Sequence, residues 1–328
     1  MKTSNKNNQA RCNQSGMTMV ELLVALAIGS FLMIGAVQIY NQSRQAFVIN
    51  ESIARVQETA QFAMDTIEAD LRMASNWGRN SRPLAVEGRS MDGNANPNGL
   101  DEPVDCPTGW ALDLALTVDG NNNAFALMCP TIGGTQIDSD VVTVRRATVA
   151  PQPLEAGRLQ IQTTRIQGEL FDDGSVPSTF SPADSTTHNL LVNSYYVATN
   201  SGLIPGVPTL RRIRLTTDGT DPDIVDEEVA PGVENLQLQL GIDVNGDNTV
   251  DRYVNPGTDV YIPGSPGYIA GARVMTARVW LLVRGTQPEL GIQDGTDYEP
   301  GDRDLGTFND NFRRMMVSKT ILLRNART

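Results

Sequence analysis

The sequence predicts an α+β protein: one long N-terminal helix packed on a head of mainly antiparallel β-sheet. Three observations carry this. Met17 to Tyr40, MTMVELLVALAIGSFLMIGAVQIY, is apolar with Glu21 as its one charged residue. From Asn41 the apolar positions thin to a stripe with spacings of three and four. Beyond Gly78 the chain breaks into short β-rich segments divided by Gly, Asn, Asp and Pro. At 328 residues, 40% of them hydrophobic, the chain has room for one large or two ordinary domains after the helix.

The apolar run is long enough for a helix to cross a hydrocarbon core of about 30 Å. A carboxylate in such a segment is costly and usually functional, so Glu21 needs a reason to be there. The stripe that follows is Phe47, Ile49, Ile53, Val56, Ala60, Ala63, Ile67, Leu71 and Ala74, one face of a helix. Glu51–Arg55 and Glu68–Arg72 are i,i+4 pairs with the acid first, the better order. Gly78 after Trp77 marks the stop. One helix over about 17–76 would extend roughly 90 Å. Gly29 and Gly35 are its weak points, since it holds no proline.

Residues 1–16, MKTSNKNNQARCNQSG, are polar and carry Lys2, Lys6 and Arg11 without an acid. A secretory signal has its apolar core before a small-residue cleavage site. Here the small residue, Gly16, comes first, so cleavage after it leaves the apolar helix on the mature chain. By the positive-inside rule the basic leader stays cytoplasmic and the bulk of the chain crosses the membrane. The net charge of −12 would become −12 − 3 = −15 without the leader. A surface that acidic disfavours nucleic acid as a general partner.

The stretch Gly16-Met17-Thr18-Met19-Val20-Glu21-Leu22-Leu23-Val24-Ala25 resembles the type IV prepilin signal. The resemblance implies that prepilin peptidase cuts after Gly16 and methylates Met17, where Phe is commoner. It also implies that Glu21 meets the N-terminal amine of a neighbouring subunit. A lone carboxylate among packed helices is indeed stabilised by an opposite charge better than by lipid. The domain plan is then a leader at 1–16, a transmembrane or filament-core helix at 17–40, its amphipathic half at 41–77, and a periplasmic or extracellular head at 78–328.

In the head, residues 78–110 read as a long surface loop. The expected strands are 111–118, 124–129, 141–149, 159–166, 190–199, 209–217, 233–243, 272–284 and 314–324. Leu236-Gln237-Leu238-Gln239-Leu240 alternates as a strand with one buried face does. Residues 277–284, ARVWLLVR, are more continuous, as a central strand is. The order Val233–Asp243, an Asp/Asn loop, a strand ending Val279–Arg284, and a last strand after Phe312-Arg313-Arg314 resembles PilW-type minor pilins, which are related to the J-type minor pseudopilin of type II secretion. The implied function is non-enzymatic: an assembly subunit held in inner-membrane lipid, then moved into a pilus. Its implied partners are prepilin peptidase, other minor pilins, the major pilin and a tip adhesin. A type II secretion pseudopilin and a membrane-anchored, calcium-dependent binding domain are the alternative readings.

Cys106 and Cys129 fall in the head, where a disulfide is the natural reading in an exported domain and two unpaired thiols the other. Asp243-Val244-Asn245-Gly246-Asp247-Asn248-Thr249-Val250-Asp251 places oxygen side chains at first, third, fifth and ninth positions, the ligand order of an EF-hand-like calcium loop. It is most similar to dockerin loops. Asp243, Asn245, Asp247 and Asp251 are the candidate ligands, against a plain Asn/Asp/Gly turn. Asn248 stands in the usual glycine position and Val254 in that of the twelfth-place acid. Asp92–Asn98 and Asp119–Asn123 read as turns. Arg145-Arg146, Arg211-Arg212, Arg214 and Arg313-Arg314 lie in or beside strands, where neighbours point to opposite faces. They therefore read as solvated or paired. His188 has no evident partner, and no nucleophile, phosphate-loop or zinc motif is present.

Overall fold

The computed structural model describes residues 16–90, 99–289 and 291–327. The basic residues and Cys12 of the leader, and the expected turn at Asp92–Asn98, lie outside the described residues. The contacts divide the chain into two units that meet at Ser52 and Ile53, inside one continuous helix, α1 (Met19–Met73).

In the first unit the apolar side chains of α1 stand uncovered. Met19, Phe31, Leu32 and Met33 are all at least 70% exposed. In the second unit Val56, Ala60, Ala63, Met64, Ile67 and Leu71 form the buried face of α1. The predicted stripe is thus followed from Val56 onward, while Phe47 and Ile49 are exposed. Glu68 and Arg72 form the expected pair at 2.5 Å. The helix ends before Gly78, the expected stop. Ser75 takes φ +63°, and a left-handed residue cannot continue an α-helix. Asn325 Nδ2 donates to the freed carbonyl of Ala74 at 3.1 Å.

Among the described residues fourteen strands follow: β1 (Val86–Glu87), β2 (Val118–Asn121), β3 (Val141–Ala147), β4 (Gln160–Thr163), β5 (Gly168–Phe171), β6 (Thr186–Ala198), β7 (Thr209–Thr217), β8 (Pro222–Pro231), β9 (Val233–Asp243), β10 (Arg252–Val254), β11 (Arg273–Arg284), β12 (Asp297–Tyr298), β13 (Gly306–Thr307) and β14 (Arg314–Leu322). The larger sheet runs β1-β5-β4-β6-β3-β2, with β7 and then β8 added on the other side of β6. A four-stranded sheet runs β10-β9-β11-β14, and β12 and β13 pair alone. Every pairing is antiparallel except β1 with β5.

One core lies where the buried face of α1 meets both sheets. Val142, Val144, Tyr195 and Leu210 come from the larger sheet, and Leu236, Leu238, Leu240, Val279, Leu281 and Val283 from the smaller. The second core covers the opposite face of the larger sheet and includes Trp77, Trp110, Leu112, Leu114, Ile161, Leu190, Tyr196 and Ile213. Two expectations are corrected by this second core. Residues 99–116 are an irregular lid rather than a surface loop followed by a strand, with Trp110, Leu112 and Leu114 each 3% exposed or less. The expected strand at 124–129 is also irregular, with Asn123 and Met128 at positive φ. Strands β1, β5, β8, β10, β12 and β13 fall outside the expected segments, and β2 overlaps one only at Val118.

The sheets are stitched together just before β3. The amide of Asp140 donates to the carbonyl of Leu236 at 2.8 Å, and the Asp140 carboxylate accepts from the amides of Asn123 and Leu238, both at 2.7 Å.

Candidate assembly site and the ligand loop of the head

Thr18 and Glu21 close a reciprocal cap at the start of α1. The Glu21 carboxylate accepts from the Thr18 amide and hydroxyl, each at 2.9 Å, and the Glu21 amide donates to Thr18 Oγ1 at 3.3 Å. This is the Thr-x-x-Glu capping box, which satisfies two orphan donors of a helix N-terminus. Gly16 and Met17 precede it and are exposed. Farther along the same apolar surface, nothing stands within 4 Å of where Gly29 would carry a Cβ. With Ala25 one turn earlier, this is a small-xxx-small opening for a second helix. The arrangement can hold one carboxylate at the mouth of a largely apolar, unburied helix surface.

The four candidate calcium ligands share one loop, where each carboxylate accepts hydrogen bonds from the loop itself. Asp243, fully buried, accepts from the amides of Asn245, Gly246 and Asn248 at 3.2, 2.7 and 2.9 Å. Arg273 Nη2 lies 3.1 Å from Oδ2, the oxygen that also accepts from Asn248, while the amides of Asn245 and Gly246 donate to Oδ1. Asp247 accepts from the amide and hydroxyl of Thr249, and Asp251 from the amide of Val244 and from Asn245 Nδ2. Asn248 takes the left-handed φ of +65° that its position asks for. A guanidinium pairs with Asp243, and the carboxylates of Asp247 and Asp251 accept from amides and side chains of the same loop. Among the described residues no group of three or more Asp, Glu, His or Cys side chains is gathered as a metal site. The residues as arranged form an Asx-turned loop closed by Arg273.

Cys106 and Cys129 are joined as a disulfide that ties the lid of the second core together. The arginine clusters are paired. Arg145 and Arg146 leave β3 on opposite faces, Arg145 Nε donating to the carbonyl of Trp110 and Arg146 gripping Asp70. Arg211 meets Asp226, Arg212 meets Glu227, Arg313 meets Glu289, and Arg314 sits among Glu234, Asp294 and Asp310. His188, without an evident partner in the sequence, is 2% exposed; Nδ1 lies 2.7 Å from the carbonyl of Thr148 and Nε2 3.0 Å from Thr186 Oγ1.

Sequence reasoning missed Asp70. It is buried in α1 with one oxygen on Arg146 Nη2 at 2.7 Å. The other oxygen accepts from Asn193 Nδ2 at 2.6 Å and the Tyr195 hydroxyl at 2.5 Å. Burial and this carboxylate together push the Tyr195 phenol far up. The available signal was an acid inside the apolar stripe, between Ile67 and Leu71.

Two family models match. Residues 11–37 match the prokaryotic N-terminal methylation motif, and residues 194–325 match the type IV pilus-assembly protein W family. Over these residues the chain is similar to type IV pilus minor pilins, with a prepilin-type N-terminus and a later region like the pilus-assembly W family. No curated protein and no solved structure gives a match. The W-family match begins within β6 and takes in β7 to β14, so it includes the whole four-stranded sheet. The methylation-motif match places Gly16, Met17 and Glu21 in a prepilin-type N-terminus, which implies processing by prepilin peptidase and assembly with other pilins. That motif and the apolar helix are consistent with an inner-membrane anchor.

Proposed function

We propose that this chain is a minor pilin, an assembly subunit cut after Gly16, methylated on Met17, held in the inner membrane with its head on the periplasmic side, and then drawn into a pilus or its tip complex. The observation that carries the reading is the N-terminal part of α1, where large apolar side chains stand exposed around one capped carboxylate. Apolar surface of that extent must be covered by lipid or by other helices. Glu21 gives the change of surroundings a direction. In the single chain its carboxylate is held by Thr18, and in a filament a neighbour's N-terminal amine offers it a full opposite charge in a low dielectric. Ala25 and Gly29 let the neighbouring helix come close. Partners at the head are other minor pilins, the major pilin and a tip adhesin.

Intact mass of the chain from membranes and from sheared surface fibres tests the reading. The expected species begins at Met17 and carries one added methyl group. A chain that retains residues 1–16, or that is absent from the fibre fraction, overturns it.

A further inference from the structure

The turn after β2 and the loops after β10 and β12 meet at one carboxylate. Asp302 Oδ2 accepts from Asn122 Nδ2 at 3.1 Å, from Asn123 Nδ2 at 3.3 Å and from Asn255 Nδ2 at 2.5 Å. Asn122 and Asn123 directly follow β2, Asn255 directly follows β10, and Asp302 lies between β12 and β13, so arms of three different sheets reach the same point. Among the described residues no lysine or arginine pairs with Asp302, and the next residue, Arg303, is turned to Asp138. Nearby, Asp140 accepts from the Asn123 amide, and burial, with the Asp302 charge added to it, raises that carboxyl to about 7.

Hydrogen bonding around this carboxylate is incomplete. The Oδ1 atoms of Asn122 and Asn123 are shut off from solvent and accept no hydrogen bond. Gln237, fully buried on β9, has its Oε1 in the same condition. That atom lies 3.6 Å from where Gly301, the residue before Asp302, would carry a Cβ. Buried side-chain acceptors in folded proteins are rarely left without a partner. The terminal torsion of asparagine is broad and nearly two-fold, so a half-turn brings each carbonyl to where its NH2 now faces Asp302. Three amide oxygens then join a carboxylate oxygen around one point.

We propose that Asn122, Asn123, Asn255 and Asp302 form a calcium site that clamps these three arms of the head together. The donors choose the ion. All four are oxygens, with no imidazole or thiolate to favour a transition metal. Calcium takes about six to eight oxygens in a flexible shell, amide carbonyls and waters among them, whereas magnesium asks for a strict octahedron and keeps its own waters. Asp302 is exposed, which leaves room for water on the outer side. One carboxylate and three neutral amides are a low charge count, so the expected dissociation constant is about 0.1–1 mM, as in extracellular modules. The site shares no residue with the loop at 243–251, and the inference does not rest on the assembly reading.

The test titrates calcium into the full-length chain in detergent, reading binding by calorimetry and the melting temperature of the head. The expected result is one calcium ion per chain and a rise of about 3 °C at about 10 mM. Magnesium should give less than a third of that rise. Asp302→Asn should weaken binding at least tenfold, and Asp247→Ala, in the other loop, should leave it unchanged. Asn255→Asp gives a sign that a plain amide network cannot. Without calcium its carboxylate repels Asp302 and lowers the melting temperature. With calcium it adds a charged ligand, so binding should tighten at least threefold and the rise should exceed that of the wild type. The proposal is overturned by no binding to the wild type at about 10 mM, or by an equal response to magnesium. Binding retained in Asp302→Asn, lost in Asp247→Ala or weakened in Asn255→Asp overturns it too.

Discussion

Asp70 shows how much one buried carboxylate can organise in this head. Its two oxygens join α1 to β3 through Arg146 and to β6 through Asn193 and Tyr195. Removing it leaves a guanidinium, an amide and a phenol without their acceptor, and breaking a buried pair from one side costs about 3–5 kcal/mol. Asp70→Ala is therefore expected to lose about that much stability in denaturant unfolding, whereas Asp65→Ala, an exposed neighbour on the same helix, should stay within about 0.5 kcal/mol. His188 gives a second check, and it is unambiguous because the chain has one histidine. Burial pushes its imidazole below the usual 6.5, opposed by the Thr148 carbonyl and aided by Arg79. The neutral ring is thus favoured in the folded state. Its contribution to stability is complete above pH 6.5 and is lost as pH falls toward the lower folded value. Asp140 works the other way: burial raises it to about 7, so its contribution is complete below about pH 4 and is lost as pH rises to 7. The His188 midpoint by NMR should lie below 6.5, and Asp140→Asn should remove the part of the pH–stability slope that falls between pH 4 and 7. An imidazole titrating at or above 6.5 would contradict the burial argument. None of these three roles was legible in the sequence, because each depends on which distant strand faces the side chain.

The elements that were legible are those whose pattern and packing agree. Val233–Asp243 alternates, and β9 buries Leu236, Leu238, Leu240 and Ile242 on one face. β8 escaped because Asp-Glu-Glu fills its centre, which reads as a loop; those acids are in a strand because Arg211 and Arg212 of β7 lie opposite them. The lid at 99–116 escaped for a different reason. Its buried Trp and Leu residues have no period, and their place is fixed by the disulfide and by Glu102, which accepts from the amides of Gly109, Ala111 and Leu112. Closing the 23-residue span of that disulfide contributes on the order of 3 kcal/mol in the chain-entropy model. Cys106→Ser with Cys129→Ser should lower the melting temperature while leaving the β-rich circular dichroism spectrum in place. At the loop of residues 243–251 the motif and the packing pull apart. Its spacing matches a calcium loop, yet Arg273 from β11 reaches Asp243 through a sheet register that spacing does not contain. Asp247→Ala should therefore leave any calcium-dependent rise in melting temperature unchanged, and loss of such a rise in this variant would reverse this conclusion, since a ligand of the folded state must stabilise it.

At the scale of the whole molecule the two units carry different obligations. Residues from Ile53 onward bury their own core, whereas the helix before Ser52 leaves its apolar face to the surroundings. A change near the start of α1 should therefore spare the head. Glu21→Ala removes both the capping box and the charge, and Thr18→Ala removes most of the cap but keeps the charge. The loss of a cap costs about 0.5–2 kcal/mol, local to one helix end. If the cap were what assembly needs, the two variants would fail alike. If the carboxylate is the coupling group, only Glu21→Ala should disappear from sheared fibres. Thr18→Ala should remain there, and both heads should melt at the wild-type temperature. Intact mass of each variant separates a processing defect from an assembly defect. Equal recovery of Glu21→Ala and wild type in the fibres would remove the electrostatic role from Glu21 and leave it as a helix cap.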